Sequence, residues 1–448
     1  MTGLLALITF EYEDVDSLAA WSLNFWDLFF KGKLDEFYIY TAQNVHGAAH
    51  QNCKGNYLWL LPLCVWNLPL WVVHTVSGTL LVTNFFSICW TKLFLYLLQI
   101  VTAYVSGKIC VMLTADYEKA AVTMLLVMAS PEILLSVGYV GQDEIVYISL
   151  MMISLYCFLK GYWKRCYLCM VCSVTLCPIM ILPVLAVLLL KEKRITGLFL
   201  YIMGTVSPLL VFEFLYRNDQ IYQEVDFFAQ FIGEMLQGST LSTRWGEISV
   251  SGIILCLVYF YCYFEPFSEK AEHNAKIIYI ISLILVTVCF MMSDDFYRMF
   301  LYVPFLAVAI MISGQYMNIN LFLFTGITYG RMFQAAGCCY PKNLNTVYIM
   351  KHSWITALCD YMGKSRYQGG TEDGIFLWKY MMKLGEALDP LRLIIRTCTV
   401  GAVGILLVIN CYRYTKRYEM KMNQSVLLTM YTFCMPIVLV CYFWMLLH

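Results

Sequence analysis

The chain has 448 residues, of which 60% are hydrophobic and 13% are charged, and its formal net charge at pH 7 is zero. Apolar runs of about 20 residues, the length that crosses a bilayer, recur along the chain, and the mean hydropathy is +0.67. These values exclude an ordinary soluble globular protein, and the balanced charge gives no indication of a nucleic-acid partner. We therefore predict an all-α polytopic membrane protein.

The first polar segment, residues 11–55, follows a short apolar opening that lacks the basic flank and the cleavage site of a signal peptide. It begins with a group of carboxylates that includes Asp14 and Asp16. A carboxylate at a membrane boundary is costly, so each is a candidate functional residue. The amphipathic, aromatic-rich pattern that follows predicts an interfacial helix beginning near Ser17. In the alternative interpretation, either aspartate only caps this helix.

The segment Tyr57–Gly78 is long enough to cross a membrane, but Pro62, Pro69 and three tryptophans indicate a broken helix that lies along the surface. Loop charges favour this second arrangement. If the segment lies flat, the basic cluster Lys160–Arg165 falls in the cytoplasm, as the positive-inside rule prefers. The next spans are then predicted at Leu93–Leu113, Ala120–Val137 and Ile145–Leu159.

Basic residues bracket the apolar run Tyr167–Leu190, so both of its ends are predicted to face the cytoplasm. Cys177-Pro178 and Pro183 lie in its middle, which predicts two short helices that rise and return, an arrangement allowed where it lines a buried cavity. Further spans are predicted at about 197–216, 251–264, 276–292, 299–313, 317–329, 391–412 and 425–447. The polar segments Arg217–Val250 and Gly330–Pro390 are predicted to face outward.

Three acidic corners are predicted to meet on the outer face. They are Asp14 with Asp16, the turn formed by Gln142, Asp143 and Glu144, and the segment Asp294–Arg298. A site that deprotonates a hydroxyl group needs a carboxylate as its base. A site that stabilises a departing phosphate needs a cation, and Arg298 and Lys92 are the candidates.

The charged residues of the second and third corners can also be explained without a functional role. Asp143 and Glu144 suit the first turn of the next helix, where the helix dipole favours a carboxylate. Asp294 and Asp295 suit a solvated turn, and Arg298 suits an arginine that only extends to the lipid headgroups. These alternatives stay open from the sequence.

Nineteen cysteines are present, and most of them lie inside apolar runs, where they act as small hydrophobic residues. No disulfide framework is predicted, although Cys338 and Cys339 are adjacent in a polar segment. His46, His50 and Cys53 have the spacing of metal ligands, but a glycine between the histidines disfavours a helix there. A surface loop is therefore the preferred interpretation.

Three stretches carry a family resemblance. They are WLLPLCVWNLPLW at the end of the acidic first loop, GQDEIVYISLMMISLY at the second corner, and VTLCPIMILPVLAVLLLKEKR, a broken pair that ends in basic residues. Together they resemble the GT-C superfamily of membrane glycosyltransferases of the bacterial type, which use a polyprenyl-phosphate sugar as donor and act on the outer face. The resemblance in sequence covers about residues 10–195. After residue 195, only the predicted order of spans and loops is similar to the family.

The resemblance implies a GT-C-like bundle of about 11–13 transmembrane helices, with interfacial helices in the first outer loop. It implies a transmembrane catalytic module over residues 1–330, with its first outer loop at 11–92. An outer segment and two transmembrane helices would follow over 331–448. The catalytic base would be Asp14 or Asp16, and the chain distance from Asp14 to Trp21, similar to that in bacterial relatives, favours Asp14.

The resemblance also implies where substrates bind. Relatives often carry lysine in the hairpin where this chain has Cys177, so a cation elsewhere would have to contact the phosphate. The implied substrate-binding residues are Gln142, Asp143, Glu144, Arg298 and Lys92. No cofactor is implied beyond a possible divalent cation, and no metal ligands are assigned.

The predicted function is transfer of a sugar from a polyprenyl-phosphate donor to a glycan or lipid acceptor, by an inverting mechanism with little or no dependence on metal. The predicted location is the cell membrane, with several passes and an extracytoplasmic active site. The alternative is a transporter or flippase for lipid-linked saccharides, in which buried acids bind a cation or a headgroup. Transporters usually show charges in mid-span and paired halves, whereas here the acids cluster at predicted span ends and no internal symmetry is visible.

Overall fold

The computed structural model describes residues 10–43, 53, 57–78, 85–217, 222, 239–244, 246–266, 271–291, 300–314, 316–338, 347–349 and 394–411. These residues are predominantly helical, as predicted. Among the described residues, four helices are long and apolar enough to cross a membrane: Tyr57–Ser77, Phe86–Thr114, Ile195–Tyr216 and His273–Phe290. A fifth span results if Tyr117–Met128 and Pro131–Gly138, which are bent by 40°, count as one. The chain is therefore built as a membrane protein, while the total of 11–13 spans stays a prediction.

The elements of the first half are β1 (Phe10–Tyr12), α1 (Glu13–Lys31), α2 (Phe37–Ala42), α3 (Leu61–Ser77), α4 (Phe85–Thr114), α5 (Tyr117–Met128), α6 (Pro131–Ile133), a π-helical turn (Leu134–Val140), α7 (Ile145–Leu159), α8 (Trp163–Leu176) and α9 (Ile181–Lys191). Those of the second half are α10 (Ile195–Tyr216), β2 (Thr240–Thr243), β3 (Gly246–Ser249), α11 (Val250–Phe264), α12 (Ala271–Met291), α13 (Val303–Ser313), α14 (Met317–Cys338), β4 (Val347–Ile349) and α15 (Ile394–Ile409). The predicted bounds of α7 are confirmed. The predicted span at 425–447 lies outside the described residues.

The predicted break inside Tyr57–Gly78 does not occur. A 3₁₀ turn over Tyr57–Leu60 leads into α3, in which Pro62 lies at the first turn and Pro69 lies inside the helix. Proline at the first turn removes no helical hydrogen bond, because the amide groups there have no partner within the helix. The segment is continuous over a length that can cross a membrane, and its predicted flat orientation stays a prediction.

The break predicted near Cys177-Pro178 is confirmed. Cys177 is extended, with φ −142° and ψ 110°, and a 3₁₀ turn at Pro178–Met180 separates α8 from α9. The steric restriction that proline places on the preceding residue explains the end of α8. Pro183, which was also expected to break the run, lies in the first turn of α9, where a helix tolerates it.

The core of the bundle is centred on α13. Its sequence, VPFLAVAIMIS, has no polar face, and every residue from Val303 to Met311 is buried. A helix that is apolar all round is stable only when it is enclosed, and α13 packs against α4, α5 and α12. This packing places the ends of α12 and α14 next to the bend between α5 and α6.

Helix α1 differs from the predicted interfacial helix. Every residue from Val15 to Phe25 is buried, because β1, α2, α3 and α4 all pack around it. Strongly exposed aromatic side chains occur only near its end, at Phe29 and Phe30. The first three turns of α1 therefore belong to the interior of the protein.

Two tryptophans fix α3 to α4. The Trp66 indole donates a hydrogen bond to the Trp90 carbonyl at 2.9 Å, and the Trp90 indole donates to the Trp66 carbonyl at 3.1 Å. Their rings stack with centroids 4.9 Å apart. This reciprocal pair sets the position of the first turns of α4, which matter for the candidate site.

Strands form two short antiparallel pairs among the described residues. β1 pairs antiparallel with β4, so that Phe10 lies opposite Ile349 and Tyr12 lies opposite Val347. β2 and β3 form a separate antiparallel pair that leads into α11. The first pairing brings the residues of β4, which follow α14 in the sequence, next to the chain that enters α1.

A reciprocal amide pair docks α15 onto α14. Asn410 and Asn320 each donate one hydrogen bond to the other's carbonyl oxygen, at 2.9 and 3.0 Å, and both side chains are buried. Ser313 also donates to Asn410. Helix α14 itself continues to Cys338, so it crosses the domain boundary predicted at residue 330.

We expect Asn410→Leu to lower the free energy of unfolding by about 1–3 kcal/mol, because it leaves the buried Asn320 amide without its partner. Thermal or denaturant unfolding of the purified chain measures the change. Val408→Ala, at a side chain of the same helix that is 67% exposed, is the control and is expected to have little effect. Equal effects of the two variants would contradict a docking role for the pair.

Candidate functional site

The first turn of α1 carries both candidate bases. The helix begins at Glu13, so Asp14 and Asp16 lie inside it, and the interpretation of either residue as a cap of a helix starting near Ser17 is wrong. The Asp16 side chain is 3% exposed. The side chain of Asp14 lies outside the described part of the structure.

The two aspartates belong to different faces of α1. Asp16 shares a row with Ala20 and Leu23, at i+4 and i+7. Ala20 and Leu23 form a small cluster with Leu70 of α3, packed against Trp90 of α4. Position 14, by contrast, begins the row that continues through residues 17, 21 and 24. The face of Asp16 is therefore a packed helix interface.

The second corner follows a π-helical turn. Leu134–Val140 has π-helical geometry, and the Gln142 amide donates to the Ser136 carbonyl at 2.9 Å as the turn ends. π-Helical turns occur preferentially at functional sites. Gln142 and Glu144 are buried and Asp143 is half-buried. Because α7 begins at Ile145, the two acids also lie where its dipole favours a carboxylate, so that alternative remains.

Gly141 brings the second corner against α1. It has φ +78°, and an added Cβ would overlap the Cγ2 atom of Val15 and lie 3.9 Å from Leu95 of α4. Val15 directly precedes Asp16 in the sequence. The first and second acidic corners, which are about 125 residues apart in the sequence, therefore meet at the Val15–Gly141 contact.

Lys92 lies at the same junction. It shares a face of α4 with Ile88 and Leu95, at i−4 and i+3. Ile88 clusters with Val15, and Leu95 approaches Gly141, so the residue between them is directed towards the contact of the two corners. Lys92 is 1% exposed. An ammonium group is kept at such depth only beside groups that compensate its charge.

We expect Gly141→Ala to destabilise the protein by about 1–3 kcal/mol more than Gly161→Ala, because the added methyl group overpacks the junction. Gly161 is a matched control, since its φ is +77° and nothing lies within 4 Å of an added Cβ. Both variants carry the same cost of a left-handed backbone, about 1–2 kcal/mol. Unfolding of the two purified variants gives the difference directly. Equal losses would show that Val15 and Gly141 are not in close contact.

Cys53 lies near the second corner. Its thiol is buried, and this burial, followed by the negative charge of Asp143, raises the pKa of the thiol. A thiol of this kind stays protonated and is a poor metal ligand or nucleophile. His46 and His50, which have ligand-like spacing with it, lie outside the described residues. Within the part of the chain that the structure covers, no group of three or more His, Cys, Asp or Glu side chains is placed to hold a metal ion.

The third acidic corner lies outside the described residues. Asp294, Asp295 and Arg298 all lie outside the described residues, between the end of α12 and the turn that leads into α13. Of the two cations proposed for phosphate, Lys92 alone has a described position. A contact between residues next to the acidic groups, Val15 and Gly141, is thus described for two of the three corners, and the grouping of the acidic side chains stays a prediction.

A second buried polar cluster was not selected from the sequence. Glu132 of α6 is 2% exposed, and Tyr302, just before α13, is fully buried. The Glu132 carboxylate and the Tyr302 hydroxyl are neighbours inside the bundle and interact with each other. Arg331 of α14 interacts electrostatically with both, and it donates to the Cys289 carbonyl at 2.7 Å.

One sequence signal pointed to part of this cluster. Glu132 follows Pro131 within an apolar stretch, and an ionisable residue at such a position is a candidate functional residue. Arg331 gave no such signal. The predicted span ended at residue 329, so Arg331 was assigned to the polar segment predicted to face outward. Its burial results from the extension of α14 to Cys338.

Comparisons of the chain with family models, with curated proteins and with solved structures gave no match. The resemblance to the GT-C superfamily therefore stays a prediction from the sequence.

Proposed function

We propose that this protein is an integral-membrane glycosyltransferase of the GT-C type. It moves a sugar from a polyprenyl-phosphate donor to a hydroxyl group of a cell-surface glycan or glycolipid on the extracytoplasmic face. The proposal is carried by one observation: Lys92 is buried at the junction where the aspartate-bearing first turn of α1 meets the Gln142–Glu144 turn.

The residues of this junction have the chemistry that sugar transfer needs. A carboxylate of α1, from Asp14 or Asp16, takes the proton of the acceptor hydroxyl group as its oxygen attacks the anomeric carbon. The bond from that carbon to the phosphate oxygen breaks, and its electron pair leaves with the phosphate. Lys92 stabilises the negative charge that develops there. Gln142, Asp143 and Glu144 hold and orient the substrates beside these groups.

The rigid junction suits this chemistry, because catalysis by position requires groups that are held in place before the substrate binds. Val15 and Gly141 are in direct contact, and the Trp66–Trp90 pair fixes the start of α4. Arg298 remains a candidate for a second phosphate contact. A divalent cation is not needed for the steps described.

A lipid-linked saccharide flippase is the second candidate. One observation favours it: Glu132 and Arg331 are ionisable side chains buried within the bundle, and such residues often mark the path of a substrate or ion through a transporter. A flippase moves its substrate across the membrane without breaking the glycosyl bond.

The two candidates differ in one measurable product. Purified full chain is incubated with a polyprenyl-phosphate sugar that is radiolabelled in the sugar, with heat-inactivated protein as control. Release of free sugar or of a glycosylated acceptor supports the transferase. Movement of intact donor across reconstituted vesicles, without any cleavage, would refute it in favour of the flippase.

A further inference from the structure

One face of α1 carries a row of buried polar groups that are not satisfied. Ser17, Trp21 and Asn24 follow at i, i+4 and i+7, and they are 2%, 7% and 0% exposed. Within the described structure, the Ser17 hydroxyl, the Trp21 indole N–H and both polar atoms of the Asn24 amide have no hydrogen-bond partner. We call these three residues the polar row.

Such a row is unfavourable for the protein alone. Buried polar groups are almost always hydrogen-bonded, and each unsatisfied group lowers stability. Apolar residues at the same positions would be more stable, as at Leu18 and Phe25, which lie in the hydrophobic core. Among the described residues, the polar row therefore lacks the hydrogen-bonding partners that its burial requires.

The position of the row connects it with the candidate base. Position 14 lies one turn before Ser17 on the same face, as i−3. From Ser17 to Asn24 the row extends about 10 Å along the helix. A ligand that lies along it thus reaches from the first turn of α1 towards its middle, with one end at the candidate base.

The chemistry of the row selects the class of ligand. It offers donors and acceptors together, from a hydroxyl, an indole N–H and an amide, and it carries no charge. These groups suit a neutral chain rich in hydroxyl groups, and they give no compensation for the charge of a phosphate. Trp21 also forms a T-shaped pair with Trp59, with ring centroids 6.0 Å apart, so the row is flanked by an aromatic side chain.

We propose that Ser17, Trp21 and Asn24 form the acceptor subsite, and that the acceptor is a neutral saccharide whose reacting hydroxyl group lies at position 14. This inference rests on the proposed sugar transfer and narrows its acceptor class. The row is covered in the present conformation, so the acceptor enters when the segments that cover this face move away from α1, which keeps its position.

The first test needs no activity. Asn24→Leu removes two unsatisfied polar atoms, so the midpoint of thermal unfolding of the full chain stays unchanged or rises. Asn410→Leu is the matched control, since it makes the same change at a buried asparagine whose amide is fully bonded, and its midpoint falls. A fall for Asn24→Leu as large as that of the control overturns the proposal, because it reveals a structural hydrogen-bonding role.

The second test measures acceptor use, with polyprenyl-phosphate sugar as donor and glycerol as a neutral polyol probe. The ratio of glycosyl-glycerol to free sugar is expected to fall about tenfold in Asn24→Leu, as two hydrogen bonds to the acceptor are lost. Trp21→Phe, which keeps an aromatic ring but lacks the N–H, lowers the ratio in the same direction. Glycerol phosphate, the charged counterpart, is a poorer acceptor than glycerol for the unaltered chain.

The outcomes separate this inference from the proposed function. Donor cleavage with an unchanged ratio in both variants overturns the subsite and leaves the transferase in place. A preference for glycerol phosphate overturns the neutral acceptor. If the unaltered chain cleaves no donor, the proposed function is refuted, and the acceptor assignment falls with it.

Discussion

Replacing Asp14 by asparagine is expected to lower sugar transfer by about 10²–10⁴-fold, the usual contribution of a general base, without a comparable loss of stability. Asparagine keeps the size of the side chain and removes the group that accepts the proton. The face of α1 that begins at position 14 continues into the polar row rather than into the packed interface with α3 and α4. Initial rates of product formation, with thermal unfolding measured in parallel, test the prediction.

Asp16→Asn is expected to behave differently, because Asp16 is buried on the face that packs against α3 and α4. Its main effect should be a lower unfolding midpoint. Asp35→Asn changes an exposed carboxylate of the same segment and is the neutral control. Full activity of Asp14→Asn, together with loss of activity in a stable Asp16→Asn, would move the base to Asp16.

Much of the helical layout was predictable from local sequence. The bounds of α7 and the break at Cys177-Pro178 follow from apolar length and from the effect of proline on its neighbour. The same rule failed at Pro69 and Pro183. A proline in the first turn is compatible with a helix, as at Pro183. Helix α3 continues through Pro69 and packs against α1 and α4.

The grouping of residues at the candidate site was only partly predictable. Polar residues between apolar runs identified Gln142–Glu144 and the aspartates of α1, but the contact that joins them is made by Val15 and Gly141. Neither of these residues has chemistry that would attract notice in a sequence. The burial of Lys92 likewise depends on which face of α4 meets α1, and this is decided by tertiary packing.

The faces of α1 show the same limit. The pattern of aromatic and polar residues in α1 predicted one solvent-exposed face and one apolar face. In the structure, the neighbouring elements enclose the helix from Val15 to Phe25. Asn24, a polar residue of this helix, is therefore buried. An unsatisfied buried amide became visible only with the positions of its neighbours.

Arg331→Met is expected to lower the free energy of unfolding by about 3–5 kcal/mol, the range for removing one partner of a buried charge pair. The guanidinium group donates to the Cys289 carbonyl, lies 4.5 Å from the centroid of the Phe290 ring and interacts with Glu132. Methionine keeps the apolar stem but leaves the Glu132 carboxylate in the bundle without this cation. Denaturant unfolding of the purified chain measures the loss.

The double variant Glu132→Gln/Arg331→Met tests whether Arg331 stabilises the protein by compensating the charge of Glu132 or only by packing. If Arg331 is needed because it compensates Glu132, then Glu132→Gln should restore much of the stability lost in Arg331→Met, since the amide carries no charge. Arg396→Met, at an exposed arginine of α15, is the control and should change stability little. Losses that simply add in the double variant would mean that Arg331 acts through Cys289 and Phe290 alone. Recovery in the double variant would instead identify Glu132 as a carboxylate that is charged inside the bundle, as a charged path through a flippase also requires.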